Sequence, residues 1–200
     1  MNKKLSFTVL GIAGTNGSGK DSVGQLMADM YGFLFVSMTD MLRDELAKRG
    51  LPPAREHMRD LSAEWRRESG LGVLIDKAME LYKASGDKYA GLAAASLRNP
   101  GEVDHVHELG GKVIWVDADP EIRYERVQGR GGVRSVDDQK SFEQFLAEEQ
   151  AEMQHSGDAA TLNMGAVKAG ADLFLTNDGD TIEALEQALA SLLSDAQTGR

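Results

Sequence analysis

Residues 14–22, "GTNGSGKDS", carry the strongest chemical signal in the chain. Gly14 and Gly19 bracket four residues, and Lys20 follows at once, a G-x-x-x-x-G-K spacing. Glycine at 14, 17 and 19 lets successive backbone N–H groups turn inward as a nest for an anion, and a helix opening near Gly19 adds the positive end of its dipole. Lys20 then places a cation on the outer phosphates of a polyphosphate. The candidate phosphate-binding set is Gly14, Asn16, Gly17, Ser18, Gly19, Lys20, Asp21 and Ser22. The string alone is a modest signal in a chain with 22 glycines, and an ordinary Gly-rich turn is its plain alternative. Its position between an apolar run and a helical repeat is what a phosphate loop requires. One residue departs from the pattern: the lysine is normally followed by Ser or Thr, whose hydroxyl holds magnesium, and here Asp21 follows. A carboxylate there can hold the metal, or it can simply be a negative charge at a helix start. Ser22 lies one step further round the helix.

These residues need elements to hold them. "LSFTVLGIA" (5–13) is an apolar, β-rich run of the kind buried on both faces of a sheet. After the loop, Val23, Leu26, Met27 and Met30 recur at helical spacing, and Gly32 closes that helix. "FLFVS" (33–37), 88–96, 112–118 and 171–177 read as four further strands. Asp119-Pro120 reads as a helix cap followed by proline at the first helical position, and Asp180 with Glu183 as a capping box. Strands alternating with helices predict a three-layer α/β/α fold around a five-stranded parallel sheet. Two segments exceed a simple crossover. Residues 38–84 are mostly helical, broken at "RGLPP" and "ESGLG", and 128–157 are polar and rich in arginine and carboxylates. The expected organisation is one domain over 1–200, with a core of 1–37, 85–127 and 158–200.

Several stretches outside the loop resemble the nucleoside-monophosphate-kinase-like branch of P-loop proteins. "VSMTDMLRDELAKRG" (36–50) resembles the adenylate kinase segment in which a strand ends and an acidic residue precedes a helix opening on L-R. "DADPEIRYERVQGR" (117–130) is similar to the stretch leading into the adenylate kinase lid. "RGLPPAREHMRDLSAEWRRESG", "SLRNPGEV", "SFEQFLAEEQAEM" and "ADLFLTNDGDT" resemble a family related to dephospho-CoA kinases. The resemblance implies a kinase using ATP and Mg2+, with 38–84 as a helical acceptor-binding insertion and 128–157 as a short lid. It implies that Arg43 and Arg98 bind the acceptor's phosphate, that Arg126 lies against ATP with Arg130 reaching phosphate, and that Arg134 closes over the transferring group. Lys20, Arg98, Arg130 and Arg134 form the implied catalytic set. Asp40 either positions the acceptor or is a helix-start charge, and it is the one plausible base if the acceptor is a hydroxyl. Guanidinium forks suit this chemistry, because phosphoryl transfer is mostly positioning and charge neutralisation.

Two departures bear on activity. These families place an acid near the end of the third strand, where it helps hold magnesium; here "AAAS" precedes Leu97-Arg98, with Ala95 aligned to the acid. Asp21 is the candidate substitute. The helix "FLAEEQAEM" also lacks the further arginine that adenylate kinases carry. The leading expectation is a kinase acting on a nucleoside monophosphate or similar small nucleotide-like acceptor; the alternatives are dephospho-CoA kinase-like activity and a non-catalytic nucleotide-binding regulator.

Composition sets the outer bounds. With 200 residues and 42% hydrophobic content the chain can bury one sizeable core. A net charge of −10 argues against a nucleic-acid partner, which needs a basic face. The absence of cysteine excludes disulfides and thiolate metal sites and fits the cytoplasm. The opening "MNKKLSFTVLGIAG" imitates a signal peptide, but its apolar run continues into the glycine loop and reads as a strand. No stretch approaches the roughly 20 apolar residues that span a bilayer. His105 and His107, two apart, point to different faces of a helix, while His57 and His155 have no partner pattern, so no metal pair is expected. Trp115 is expected to pack in the core, and Trp65 to pack there or line the acceptor pocket. Of Arg59, Arg66 and Arg67, some are expected to reach the acceptor and at least half to be solvated. Oligomeric state has no signature.

Overall fold

The fold comes from a computed structural model that describes residues 5–129, 140–154 and 157–198. Five apolar runs become strands: Val9–Gly14 (β1), Phe33–Ser37 (β2), Gly91–Ala95 (β3), Lys112–Asp117 (β4) and Leu173–Thr176 (β5). They form one sheet in the order β2-β3-β1-β4-β5, and every adjoining pair is parallel. Between them lie Lys20–Tyr31 (α1), Met38–Lys48 (α2), Arg55–Ser69 (α3), Val73–Ala84 (α4), Pro100–Glu108 (α5), Pro120–Gln128 (α6), Phe142–Met153 (α7), Met164–Ala169 (α8) and Ile182–Thr198 (α9).

Because successive side chains leave a strand on opposite faces, each strand feeds two apolar layers. Leu10, Ile12, Ala93, Ala95, Ile114 and Val116 pack with Val23 and Met27 of α1 and Leu185 and Leu189 of α9. Val9, Ala13, Leu92, Ala94, Val113 and Trp115 pack on the other side with Leu46, Leu61, Ile75, Val106 and Val167. The result is the expected three-layer α/β/α architecture. The chain leaves β1 toward β2 and β3 on one side and later returns to β4 and β5 on the other. The carboxyl end of β1 therefore opens at the crevice where strand order reverses, the usual ligand position in such sheets.

Local expectations fare unevenly. The breaks at "RGLPP" and "ESGLG" fall between α2, α3 and α4. Asp119 caps α6 by accepting from the Glu121 amide at 2.8 Å, with Pro120 at the first helical position. The third strand starts at Gly91, since Gly86–Lys88 is a short 3-10 turn. α9 begins after Thr181, whose hydroxyl receives the Ala184 amide at 3.2 Å, so Thr181 and not Asp180 does the capping. Trp115 is 1% exposed in the core, and Trp65 packs against the same layer with Lys77 Nζ 4.3 Å from its ring centre. Arg130, Arg134 and His155 lie outside the described residues. Among the described residues, no helix is long and apolar enough to cross a membrane.

Candidate active site

Thr15–Gly19 turns from β1 into α1 as a loop whose backbone only glycine tolerates at key points. Gly14, Gly17 and Gly19 have φ of 146°, 81° and 94°. A Cβ on Gly17 would lie 2.5 Å from the Arg123 carbonyl oxygen, and one on Gly19 would lie 2.5 Å from Asn177 Nδ2. The loop is tied down on several sides. Thr15 Oγ1 donates to Asp117 Oδ1 at 2.9 Å, Ser18 Oγ to the Thr15 carbonyl at 2.9 Å, and Asn177 Nδ2 to the Ser18 carbonyl at 2.9 Å. Lys20 Nζ reaches back to the Thr15 carbonyl at 2.6 Å. In α2, α5, α6 and α7 a side chain satisfies a first-turn amide. α1 starts on Gly19 with no side-chain cap, which leaves its first amides for a ligand.

The loop opens into a cleft of about 940 Å³, the size of a small-molecule site. Asn16, Gly17, Gly19, Lys20, Asp21 and Ser22 line it. Arg43 from α2, Arg55 and Arg59 from α3, Ser96 and Arg98 after β3, and Glu152 from α7 also line it, together with Asp60, Glu64, Arg66, Arg67 and Glu68 of α3. Glu152 binds three of these cations: Arg59 Nη2 at 2.7 Å, Arg98 Nη1 at 3.1 Å and Arg55 Nη1 at 3.6 Å. Burial works against its charge, but Arg98, Arg55 and Arg59 outweigh that and bring its pKa down to about 2. Arg55 also meets Glu148 at 3.1 Å.

A second acid–arginine group borders the loop. Arg123, 3% exposed, makes a two-point contact with Glu149 of α7, donates through Nε to the Ala118 carbonyl at 2.8 Å, and lies over the Phe145 ring. Asp117, at the end of β4, is opposed by burial. Hydrogen bonds from Trp115 and Thr15, the Ala118 amide and the Arg123 charge nonetheless hold its carboxyl below the usual range. Asp117 is thus a fixed anchor for the loop. The Arg66 guanidinium is buried against Glu102 at 2.7 Å, and it also donates to Ser62 Oγ and to the Ala160 carbonyl. Among the described residues, no cluster of three or more His, Asp or Glu is arranged to hold a metal by itself.

Residues 13–143 match the family model described as an AAA domain. A UPF0200 protein of Pyrobaculum aerophilum is 32% identical over 189 residues, covering 94% of this chain and 97% of its own. Another, from Pyrococcus abyssi, is 32% identical over 171 residues, covering 84% and 86%. The chain belongs to the AAA-domain and UPF0200 families. Its fold is similar to that of a shikimate kinase from Bacteroides thetaiotaomicron, with a TM-score of 0.60 at 13% identity over 94% of this chain and 98% of that one. A shikimate kinase from Acinetobacter baumannii, in complex with shikimate, gives 0.55 at 14% identity over 96% of each chain. Family and fold together place this UPF0200 chain in the P-loop nucleoside-monophosphate-kinase-like superfamily.

Within the UPF0200 chain, the sequence candidates distribute as follows. Asn16, Gly17, Gly19, Lys20, Asp21, Ser22, Arg43 and Arg98 share the cleft. Ser18 is fully buried and its hydroxyl is committed to the loop itself. Asp40 is not in the lining; it pairs with Arg43 at 2.6 Å in the first turn of α2. Arg126 lies outside the cleft and donates to the Asn177 and Gly179 carbonyls at 2.8 and 2.7 Å, bracing the loop after β5 that holds Ser18. Ala95 is fully buried in the apolar layer beside Ile12 and Ile114, so a carboxylate there would enter the core. The cleft-facing position is Ser96, a non-glycine residue at φ 77°. The insertion arginines Arg59, Arg66 and Arg67 all line the cleft; Arg59 joins the Glu152 cluster, Arg66 is held by Glu102, and Arg67 pairs with Asp158. Arg55, Arg123, Asn177 and Glu152 had no role assigned from sequence; the run of acids in "FLAEEQAEM", one turn apart, was their one visible trace.

Proposed function

We propose that this protein is an ATP- and magnesium-dependent phosphotransferase that moves the γ-phosphoryl group to a small phosphate-bearing acceptor, with a nucleoside monophosphate as first choice. The observation that carries this reading is the pairing within one cleft: an uncapped helix start with Lys20, and Arg43, Arg55, Arg59 and Arg98 lining the same space. The helix start suits a polyphosphate donor. A phosphate acceptor is favoured by the arginines in the lining, which suit an anionic group; Asp40, the base suggested from sequence for a hydroxyl acceptor, is outside the lining and paired with Arg43.

The residues present fit a magnesium ion held by one carboxylate, with phosphate oxygens and water completing its shell. Asp21 would supply that carboxylate, with the Ser22 and Ser96 hydroxyls also in the cleft. The ion, when bound, offsets charge on the outer phosphates. Lys20 and the α1 amides hold the donor in line, and the cleft arginines hold the acceptor. Asp21→Asn is expected to raise the magnesium concentration for half-maximal turnover at least about ten-fold, since an amide lacks the Coulomb attraction. Ser96→Asp should recover part of the loss in Asp21→Ser, because aspartate tolerates the left-handed backbone at 96. Magnesium titrations of the parent, both single variants and the double variant check this. Independent effects would make Asp21 a helix-start charge only.

A screen of nucleoside monophosphates and dephospho-CoA with labelled ATP tests the reading directly. A phosphorylated product is expected with a nucleoside monophosphate. Nucleotide binding with no product from any acceptor would favour the non-catalytic regulator. Donor and acceptor binding should also separate kinetically. Arg98→Ala is expected to raise the acceptor KM and lower kcat, together roughly 10–100-fold in kcat/KM, with ATP affinity nearly intact. Arg126→Ala should weaken ATP through the loop after β5 and spare the acceptor. Titrations in which both variants affect ATP alone would overturn this division.

A further inference from the structure

α7 carries an acid where a lid of this type is expected to bring cations, and that inversion has a chemical meaning. Arg55 and Arg59 are four residues apart on α3 and so share a face. Arg98 comes from beyond β3, and the three guanidinium groups meet on the Glu152 carboxylate. The Glu152 side chain is 12% exposed, while those of Arg55, Arg59 and Arg98 remain 27%, 48% and 33% exposed and line the cleft. Three positive charges share the Glu152 carboxylate, and Arg55 is also paired with Glu148 at 3.1 Å.

We infer that Arg55, Arg59 and Arg98 form an anion site whose resident counter-ion is Glu152, and that Glu152 makes the site selective for a phosphate monoester dianion over a carboxylate. This rests on reading the cleft as an acceptor site, but on binding and not on turnover. A carboxylate ligand offers the arginines one charge and two oxygens, which Glu152 already supplies at the high effective concentration of a tethered group. A phosphate dianion brings a second charge and a third oxygen, enough to answer three guanidinium forks and displace the tethered acid. Protonation does not vacate the site, because the arginines keep Glu152 ionised far into the acid range. Displacement by a stronger anion is the remaining route. The competing account is a plain staple, in which Glu152 only fastens α7 to α3.

The probes are inorganic phosphate and acetate at about pH 8, where phosphate is the dianion. Their affinities are measured by calorimetry on the full chain in four forms: parent, Glu152→Gln, Arg98→Ala and the double variant. Any contribution of the phosphate loop is common to all four. Glu152→Gln is expected to bind phosphate roughly ten-fold more tightly, an ordinary coupling between ligands competing for one site. It should also acquire acetate binding that the parent lacks, and Arg98→Ala should remove both gains. Unchanged affinities in Glu152→Gln, or gains that persist without Arg98, overturn the proposal and leave the staple. If Glu152→Gln fails to fold by circular dichroism, Glu152→Asp serves. Its shorter acid should give an intermediate gain in phosphate affinity, and no gain counts against the site. An acceptor screen without product, with these gains intact, sinks the kinase reading alone; products without the gains sink this inference alone.

Discussion

Lys20→Ala is expected to fold normally and to lose phosphoryl transfer, with kcat down at least about a thousand-fold, the scale of removing a cation from a phosphoryl-transfer site. The side chain now reaches across its own loop to the Thr15 carbonyl at 2.6 Å, so it already lies at the mouth of the amide nest. A bound polyphosphate would draw the ammonium onto its outer oxygens, where its attraction grows as charge moves toward the leaving group. Two cations that brace the loop are poorly placed to substitute: Arg123 is committed to Glu149 and the Ala118 carbonyl, and Arg126 to the Asn177 and Gly179 carbonyls. ATP affinity should fall along with turnover. The melting temperature of the free protein should fall only slightly, because the variant loses the Lys20–Thr15 contact while the ties of Thr15 to Asp117, Ser18 to Thr15 and Asn177 to Ser18 remain. Turnover within a factor of a few of the parent would end the phosphate-loop reading.

Glu102→Ala should lower stability by about 3–5 kcal/mol, the cost of breaking a buried ion pair from one side. Glu102 is fully buried and accepts from Arg66 at 2.7 Å, from the Arg98 amide at 2.7 Å and from the Asn99 amide at 3.1 Å. Removing it strands the Arg66 guanidinium, 3% exposed, and undoes the cap of α5, in which Asn99 receives the Gly101 amide. For a domain whose whole stability is of order 5–15 kcal/mol this is a large share. In a chain of this length it corresponds to a fall of roughly 10 °C in Tm. Arg66→Met should cost less, because Glu102 keeps its two backbone donors and an apolar side chain can fill the space. Thermal melts of both variants decide the matter. A Glu102→Ala loss below about 1 kcal/mol, or Arg66→Met as the worse of the two, would mean the pair is not the keystone described.

The sheet and its site-bearing loop were legible because their signals are local. β1, the glycines at 14, 17 and 19, and the apolar face of α1 are contiguous, and each alone predicts the turn it makes. The α6 cap was readable for the same reason: Asp119 and Pro120 are neighbours. Boundaries slipped where two local rules competed. Gly86–Lys88 turns before β3 can begin, and Thr181, one residue past Asp180, takes the cap of α9. The acid–arginine network was not legible. Glu152 meets Arg59 across 93 residues and Arg98 across 54, and a glutamate on a polar helix reads as solvated until the fold supplies its partners. Arg66 is the same case in reverse, a charge on the most polar-looking helix that becomes core. Ala95 and Ser96 show the limit of alignment by strand end, since one step along β3 exchanges the core for the cleft.

The clamping of the phosphate loop has a thermodynamic consequence. Thr15 is fastened to Asp117 at the end of β4 and Ser18 to Asn177 after β5, while the Gly17 and Gly19 positions are pressed against Arg123 and Asn177. The loop therefore holds its binding shape before any nucleotide arrives, and the conformational entropy of ordering it has been met by folding, not by ligation. Nucleotide association should thus show little entropic penalty from this element, and the amides of 15–19 should resist hydrogen exchange in the free protein. Cutting one tie, as in Asn177→Ala, would move that cost back onto the binding step: the same contacts would form in the complex, from a looser start.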